Sequence, residues 1–202
     1  LQLILLIAAL SLLPFIFVSL TSFMRYVIVL SILKTALGTQ QVPPGPVLIG
    51  IAMILTFYSM GPTMGQMLEK IEKPIAEKQS VMVIMNEASK PLKNFMLRQT
   101  RKEDISFFVE LTRNKPPATV EDLSIFEVAP GFMVSELRTS FEIGFLIFIP
   151  FIVVDLVVAN ILLALGMMML SPTIVSLPFK ILIFIAVDGW SLVINGLVKS
   201  FN

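Results

Sequence analysis

The run FEIGFLIFIPFIVVDLVVANILLAL, residues 141–165, decides the fold. Glu142 and Asp155 are its only charges. At about 1.5 Å of rise per residue, even eighteen residues of helix extend about 27 Å, close to a hydrocarbon core of roughly 30 Å. A second apolar run, Thr173 to Val198, follows after the short tip Gly166-Met167-Met168-Met169-Leu170-Ser171-Pro172. The other end of the chain repeats the plan without repeating the residues. Leu1 to Leu33 carries only Arg25 as a charge, Val47 to Met64 carries none, and between them Gly38 to Pro46 is rich in glycine and proline, which end helices.

Between the two apolar pairs the composition changes. Ten of the fifteen Lys and Arg residues and eleven of the fourteen Asp and Glu residues fall between Glu69 and Glu136. Phe95, Met96, Phe107, Phe108, Val109 and Leu111 are set among these charges, a pattern of short amphipathic helices. Lys115-Pro116-Pro117 and Val128-Ala129-Pro130-Gly131 read as loops. The predicted fold is therefore all-α and membrane-type. An N-terminal hydrophobic helical hairpin (1–64) and a C-terminal one (141–202) flank a small polar helical insert (65–140). Four crossings would put the insert and both chain ends on one side and the two tips on the other. Lys34 and Lys199 are the only basic residues in the short elements, so charge leaves the orientation undecided.

Composition agrees and excludes most chemistry. The 202 residues are 56% hydrophobic and 14% charged, against roughly 45–50% and 25% in soluble domains. Neither cysteine nor histidine is present, which removes disulfides, thiolate nucleophiles, the usual zinc sites and histidine acid–base catalysis. There is no GxxxxGK[ST] phosphate loop and no long basic run, so neither nucleotide hydrolysis nor nucleic-acid binding is expected, and no cofactor. The chain opens on Leu1 inside an apolar run, as expected where an upstream segment such as a signal peptide has been removed.

Five charges lie inside the apolar runs: Arg25, Glu142, Asp155, Lys180 and Asp188. Each would cost roughly 2.5–3.5 kcal/mol in hydrocarbon, so each is expected to face protein or a watery cavity, as a paired structural charge or along a transport path. Folding the C-terminal runs about the Met169 region offsets Asp155 from Lys180 by three residues, about 4.5 Å along a helix, which makes them candidates for mutual neutralisation. The tip is the other unusual feature. Methionine commonly fills gaps in a core, but three in succession beside a glycine and a proline cannot all be hidden in a turn. Flexible thioethers there could form a deformable apolar seal.

Several ordered stretches carry a family resemblance. Thr21-Ser22-Phe23-Met24-Arg25-Tyr26-Val27-Ile28-Val29-Leu30, Ala36-Leu37-Gly38-Thr39-Gln40-Gln41 and Phe95-Met96-Leu97-Arg98-Gln99-Thr100-Arg101 resemble the FliP family of type III secretion export-gate proteins. So do Ser135-Glu136-Leu137, Gly144-Phe145, Ile149-Pro150-Phe151, Asp155 to Ala159, Gly166 to Met169, Ser176 to Lys180 and Val187-Asp188-Gly189-Trp190. The virulence-associated SctR counterpart shares the C-terminal signatures, while Phe95–Arg101 and Gly38–Gln41 are more similar to the flagellar branch.

The resemblance implies a non-enzymatic subunit of the bacterial inner membrane and flagellar basal body, with its polar insert periplasmic. Copies would assemble with FliQ and FliR, work with FlhB and FlhA, and pass unfolded flagellar substrates. It also implies that Met167, Met168 and Met169 form a pore gasket, and that Glu136 and Lys180 make a salt bridge between subunits, in competition with the Asp155–Lys180 pairing. Leu170-Ser171-Pro172 departs from the two prolines of many flagellar members. An ion-coupled transporter or channel with Arg25, Asp155, Lys180 and Asp188 as a relay is the alternative class, although two unlike hairpins give no clear inverted repeat.

Overall fold

A computed structural model describes residues 7, 11, 14–39, 42–112, 122–167 and 169–201. Among them every regular element is helical. The helices are α1 (Pro14–Leu20), α2 (Phe23–Ala36), α3 (Gly45–Ala76), α4 (Val81–Gln99), α5 (Lys102–Thr112), α6 (Ile125–Ala164), α7 (Pro172–Ala186) and α8 (Gly189–Lys199). The predicted all-helical, membrane-type class is what the structure has. Helices α3 and α6 are each long and apolar enough to cross a membrane, and the bent pairs α1–α2 and α7–α8 pass the same test together.

The apolar runs do not all form straight helices. The first bends by 78° between Leu20 and Phe23. There the Thr21 hydroxyl donates to the Phe17 carbonyl at 2.6 Å and accepts the Phe23 N–H at 3.3 Å, taking the place of ladder bonds. The last apolar run bends by 64° between Ala186 and Gly189, where Asp188 adopts a left-handed conformation (φ 50°, ψ 53°).

Both limits assigned to the polar insert fall inside helices. Helix α3 continues past Gly65 to Ala76, and α6 begins at Ile125, inside the charged region. At roughly 1.5 Å per residue, the 40 residues of α6 extend about 60 Å, twice a hydrocarbon core. The expected loop Val128–Gly131 is a correction, because it lies in the first turns of α6. Ser124 starts that helix: its N–H is bonded by the Glu127 carboxylate at 2.8 Å, one arm of a capping box. Gly131 serves close packing instead of a turn, since a Cβ there would lie 3.1 Å from the Asp104 carbonyl oxygen. The expected Lys115-Pro116-Pro117 loop lies outside the described residues.

The chain forms two compact units, each assembled from separated segments. One comprises Leu1–Met24 and Thr56–Arg138, and the other Arg25–Leu55 and Thr139–Asn202. In the first, Phe95, Met96, Val109, Leu123, Val128 and Phe132 are buried, with the Phe95 and Phe132 rings edge to face at 5.9 Å. Phe107 and Leu111 of α5 are exposed despite their amphipathic spacing. In the second unit α2 is the central helix: Tyr26, Val29, Leu30 and Leu33 have no exposed surface. Segments of both predicted hairpins thus share one core.

Close approach within this core depends on Gly144 of α6. A Cβ there would stand 2.5 Å from Ile32 Cδ1 of α2. Gly144→Val is expected to destabilise the fold by about 1–3 kcal/mol, the usual cost of overpacking. Adding Ile32→Ala should recover part of the loss. Melting temperatures of the detergent-purified proteins check this; an unchanged Gly144→Val protein would mean the two helices separate freely.

Candidate functional site: buried cations and an exposed methionine tip

Two short loops carry the tips of the predicted hairpins. Gly38 (φ 77°) follows the end of α2 by two residues, and Gly166 (φ 73°) that of α6. At the second, Gly166 N–H donates to Leu163 O at 3.0 Å and Met167 N–H to Leu162 O at 2.9 Å, the double bond of a Schellman turn. Pro172 then opens α7 in its first turn, where a missing N–H costs nothing. The loop between these stops exposes Met167 and Met169. Met169 is wholly exposed and Met167 is 47% exposed, so in this chain neither is a core residue. Met168 lies outside the described residues.

Two turns into each flanking helix lies a charge cluster that neutralises itself. Asp155 of α6 and Lys180 of α7 meet at 2.6 Å (Oδ2 to Nζ). Ser176, one turn before Lys180 and fully buried, donates its hydroxyl to the other carboxylate oxygen. The Lys180 ammonium also donates to the Ala36 carbonyl at 3.3 Å, at the last residue of α2. The last carbonyls of a helix lack intrahelical partners and carry the negative end of its dipole, so a cation is favourable there. The Lys180 side chain is 4% exposed and that of Asp155 34%, so the pair has one dry and one wet member.

Arg25 follows the same physics at the opposite end of α2. Its Nη1 donates to both the carbonyl and the hydroxyl of Ser200, each at 2.9 Å, just beyond α8. Its guanidinium carbon stands 3.8 Å over the Phe201 ring, within the range of a cation–π contact. Arg25 is 2% exposed. Asp188, in contrast, is exposed at the α7–α8 bend and makes no side-chain cap to α8. Glu142 is exposed on α6.

Glu136 is fully buried in the first unit, whereas Lys180 belongs to the second. Beside Glu136 lies a network that the sequence does not mark. The Ser135 hydroxyl donates to Asp104 Oδ2 at 2.5 Å and accepts Arg101 N–H at 2.9 Å, while Arg138 approaches Asp104 Oδ1 at 3.5 Å. Asp104 is itself buried, and it ties α5 to α6. In the sequence nothing sets Asp104 apart from its acidic neighbour Glu103. The roles of Ser176 and Ser200 were likewise invisible, because serine in an apolar run signals nothing about which side chain it faces.

Comparison with known proteins supplies what geometry leaves open. Residues 6–197, nearly the whole chain, match the FliP family. The chain belongs to the FliP family. It is 48% identical to the flagellar biosynthetic protein FliP of Caulobacter vibrioides over 100% of this chain and 76% of that protein. Against FliP of Bacillus subtilis the identity is 43%, over 99% of this chain and 91% of the relative. It is also similar to the Yop proteins translocation protein R of Yersinia pestis, 43% identical over 100% of this chain and 96% of that protein. Exposed apolar faces fit the membrane character of the helices. Phe145, Leu146, Val153, Leu156 and Val157 of α6 are each more than half exposed in the single chain.

Proposed function

We propose that this chain is a core subunit of the flagellar type III protein export gate in the bacterial inner membrane, with residues 65–140 on the periplasmic side. Copies of it, with FliQ and FliR, enclose a passage for unfolded flagellar substrates and work with FlhB and FlhA. The likeness to flagellar FliP proteins across nearly the whole of this chain carries this reading. The chain itself supplies the passage and its seal, and does no covalent chemistry.

In this role Met167, Met168 and Met169 constrict the passage. Unbranched thioethers yield to a passing polypeptide of any sequence and close behind it without breaking directional bonds. The exposure of Met167 and Met169 supports this, because residues already outside the core are free to meet a neighbouring copy. Glu136 and Lys180 join neighbouring copies. An ammonium has three donors, and the bonds to Asp155 and Ala36 O leave one for the Glu136 carboxylate of the next copy. Burial of both groups in the single chain means that assembly rearranges the surroundings of each.

The likeness to the Yersinia pestis translocation protein supports a second reading, the virulence-type counterpart of the same gate. Affinity purification from native membranes, followed by native mass spectrometry, separates the two. FliQ, FliR and several copies of the chain are the expected partners, and Glu136→Ala should lower the number of copies retained. Capture of virulence-type subunits would select the second reading. An isolated monomer with no export protein bound would overturn both.

A further inference from the structure

The α7–α8 bend and the Arg25 cluster are two ends of one element, and between them lies a cleft. Helix α8 leaves α7 through Val187 and Asp188 at 64°. Asp188 holds a left-handed conformation there, one that Asp tolerates better than most side chains. Gly189 beside it is buried, and a Cβ at that position would fall 2.2 Å from the Phe184 ring, so α8 folds down tightly against α7. The far end of α8 is gripped through Ser200 and Phe201 by Arg25, with the Tyr26 ring 5.4 Å from that of Phe201. Under the arm is an apolar cleft of about 320 Å³, lined by residues that include Leu33, Phe151, Phe184, Val193 and Leu197.

We propose that α8 is a hinged arm, turning about Val187–Gly189, whose closed position is set by Arg25 holding Ser200 and Phe201. Arg25 is thereby a positioning residue. A helix of 11 residues is too short to be stable alone, so its order comes from what it packs against and from the fixing of its ends. The Arg25 grip is made by a charge: two hydrogen bonds and a ring face converge on one guanidinium. Losing it frees the last turn while the tight packing at Gly189 persists. The arm then swings from its hinge and the apolar cleft beneath it opens.

Because the chain has no cysteine, single thiols can report the arm directly. Val193→Cys places one on α8, facing the cleft, and Val158→Cys places a control on α6; the parent residues are 8% and 9% exposed. Maleimide labelling of the full chain in detergent is then compared with and without Arg25→Gln. Labelling at position 193 should accelerate about tenfold or more, as expected for local opening, with position 158 changed by less than about twofold. Phe201→Ala, which keeps the cation and both bonds to Ser200, should accelerate position 193 by a smaller factor and leave position 158 alone. Equal acceleration at both positions would mean that Arg25 supports the whole unit, and no acceleration at 193 would mean that it does not hold the arm; either result overturns the proposal. If Arg25→Gln fails to fold, Phe201→Ala decides alone, an unchanged rate at 193 again overturning it.

Discussion

Asp155→Ala is expected to destabilise the chain by about 3 kcal/mol, the lower end of the 3–5 kcal/mol typical of breaking a buried ion pair. The loss comes from what is left behind. With the carboxylate gone, the Lys180 ammonium stays inside a side chain that is 4% exposed, with the Ala36 carbonyl 3.3 Å away. Asp155 is 34% exposed, and water reaching the vacated place softens the penalty, which is why the lower end applies. Ser176 loses its carboxylate acceptor as well. A double substitution, Asp155→Leu with Lys180→Met, removes both charges and keeps their volume, so it should melt near the parent. Denaturation of the detergent-purified proteins, followed by circular dichroism, makes the comparison. A single Asp155→Ala variant that melts with the parent would show that the ion pair contributes nothing to the fold. If the double variant keeps its stability but no longer oligomerises, the Lys180 charge serves the contact between copies that we propose.

Replacing Met167, Met168 and Met169 together by alanine should leave the fold and the assembly intact and make the membrane leak. Large-to-small substitutions in a core cost about 2–5 kcal/mol each because a cavity remains. That cost does not arise at Met169, which is wholly exposed, and is small at Met167, which is about half exposed, at 47%. The backbone of the turn depends on Gly166 and Pro172, which the variant keeps. What changes is the volume of flexible side chain presented at the tip. If that volume seals a passage, ions and small dyes will enter cells that carry the variant, at an unchanged yield of assembled complex. Yield by gel filtration and dye uptake, measured on the same strains, decide the matter. Reduced yield would place the methionines in a packed interface, and normal yield without leakage would remove them from the gate.

The helical class and the position of the tips were legible because they depend on local chemistry. Long apolar runs with few charges leave a backbone in a non-aqueous setting no alternative to helix, and Gly38, Gly166 and Pro172 stop helices through their own dihedral limits. The Asp155–Lys180 contact was within reach of arithmetic, since a hairpin with a short tip brings its two limbs into register. The bend at Asp188 had a visible mark in the Asp188-Gly189 pair, which often signals a turn, although the left-handed residue proved to be the aspartate. The opposite error occurred at Val128–Gly131. Glycine and proline looked like a loop, but a capping box upstream and the close approach of Asp104 made the same residues helical.

By itself the sequence determined the element type, the four apolar runs, the exposed methionine turn and the FliP-family signatures, all of which are properties of neighbouring residues or of their order. The tertiary structure alone decided which carbonyl each buried cation would meet. Arg25 and Ser200 are 175 positions apart, and Lys180 and Ala36 are 144. A lysine or arginine in an apolar helix must find an electron-rich partner, but every helix offers unpaired carbonyls at its C-terminal end, and local sequence ranks none above another. Only the packing of α2 among α6, α7 and α8 placed one such end beside each cation.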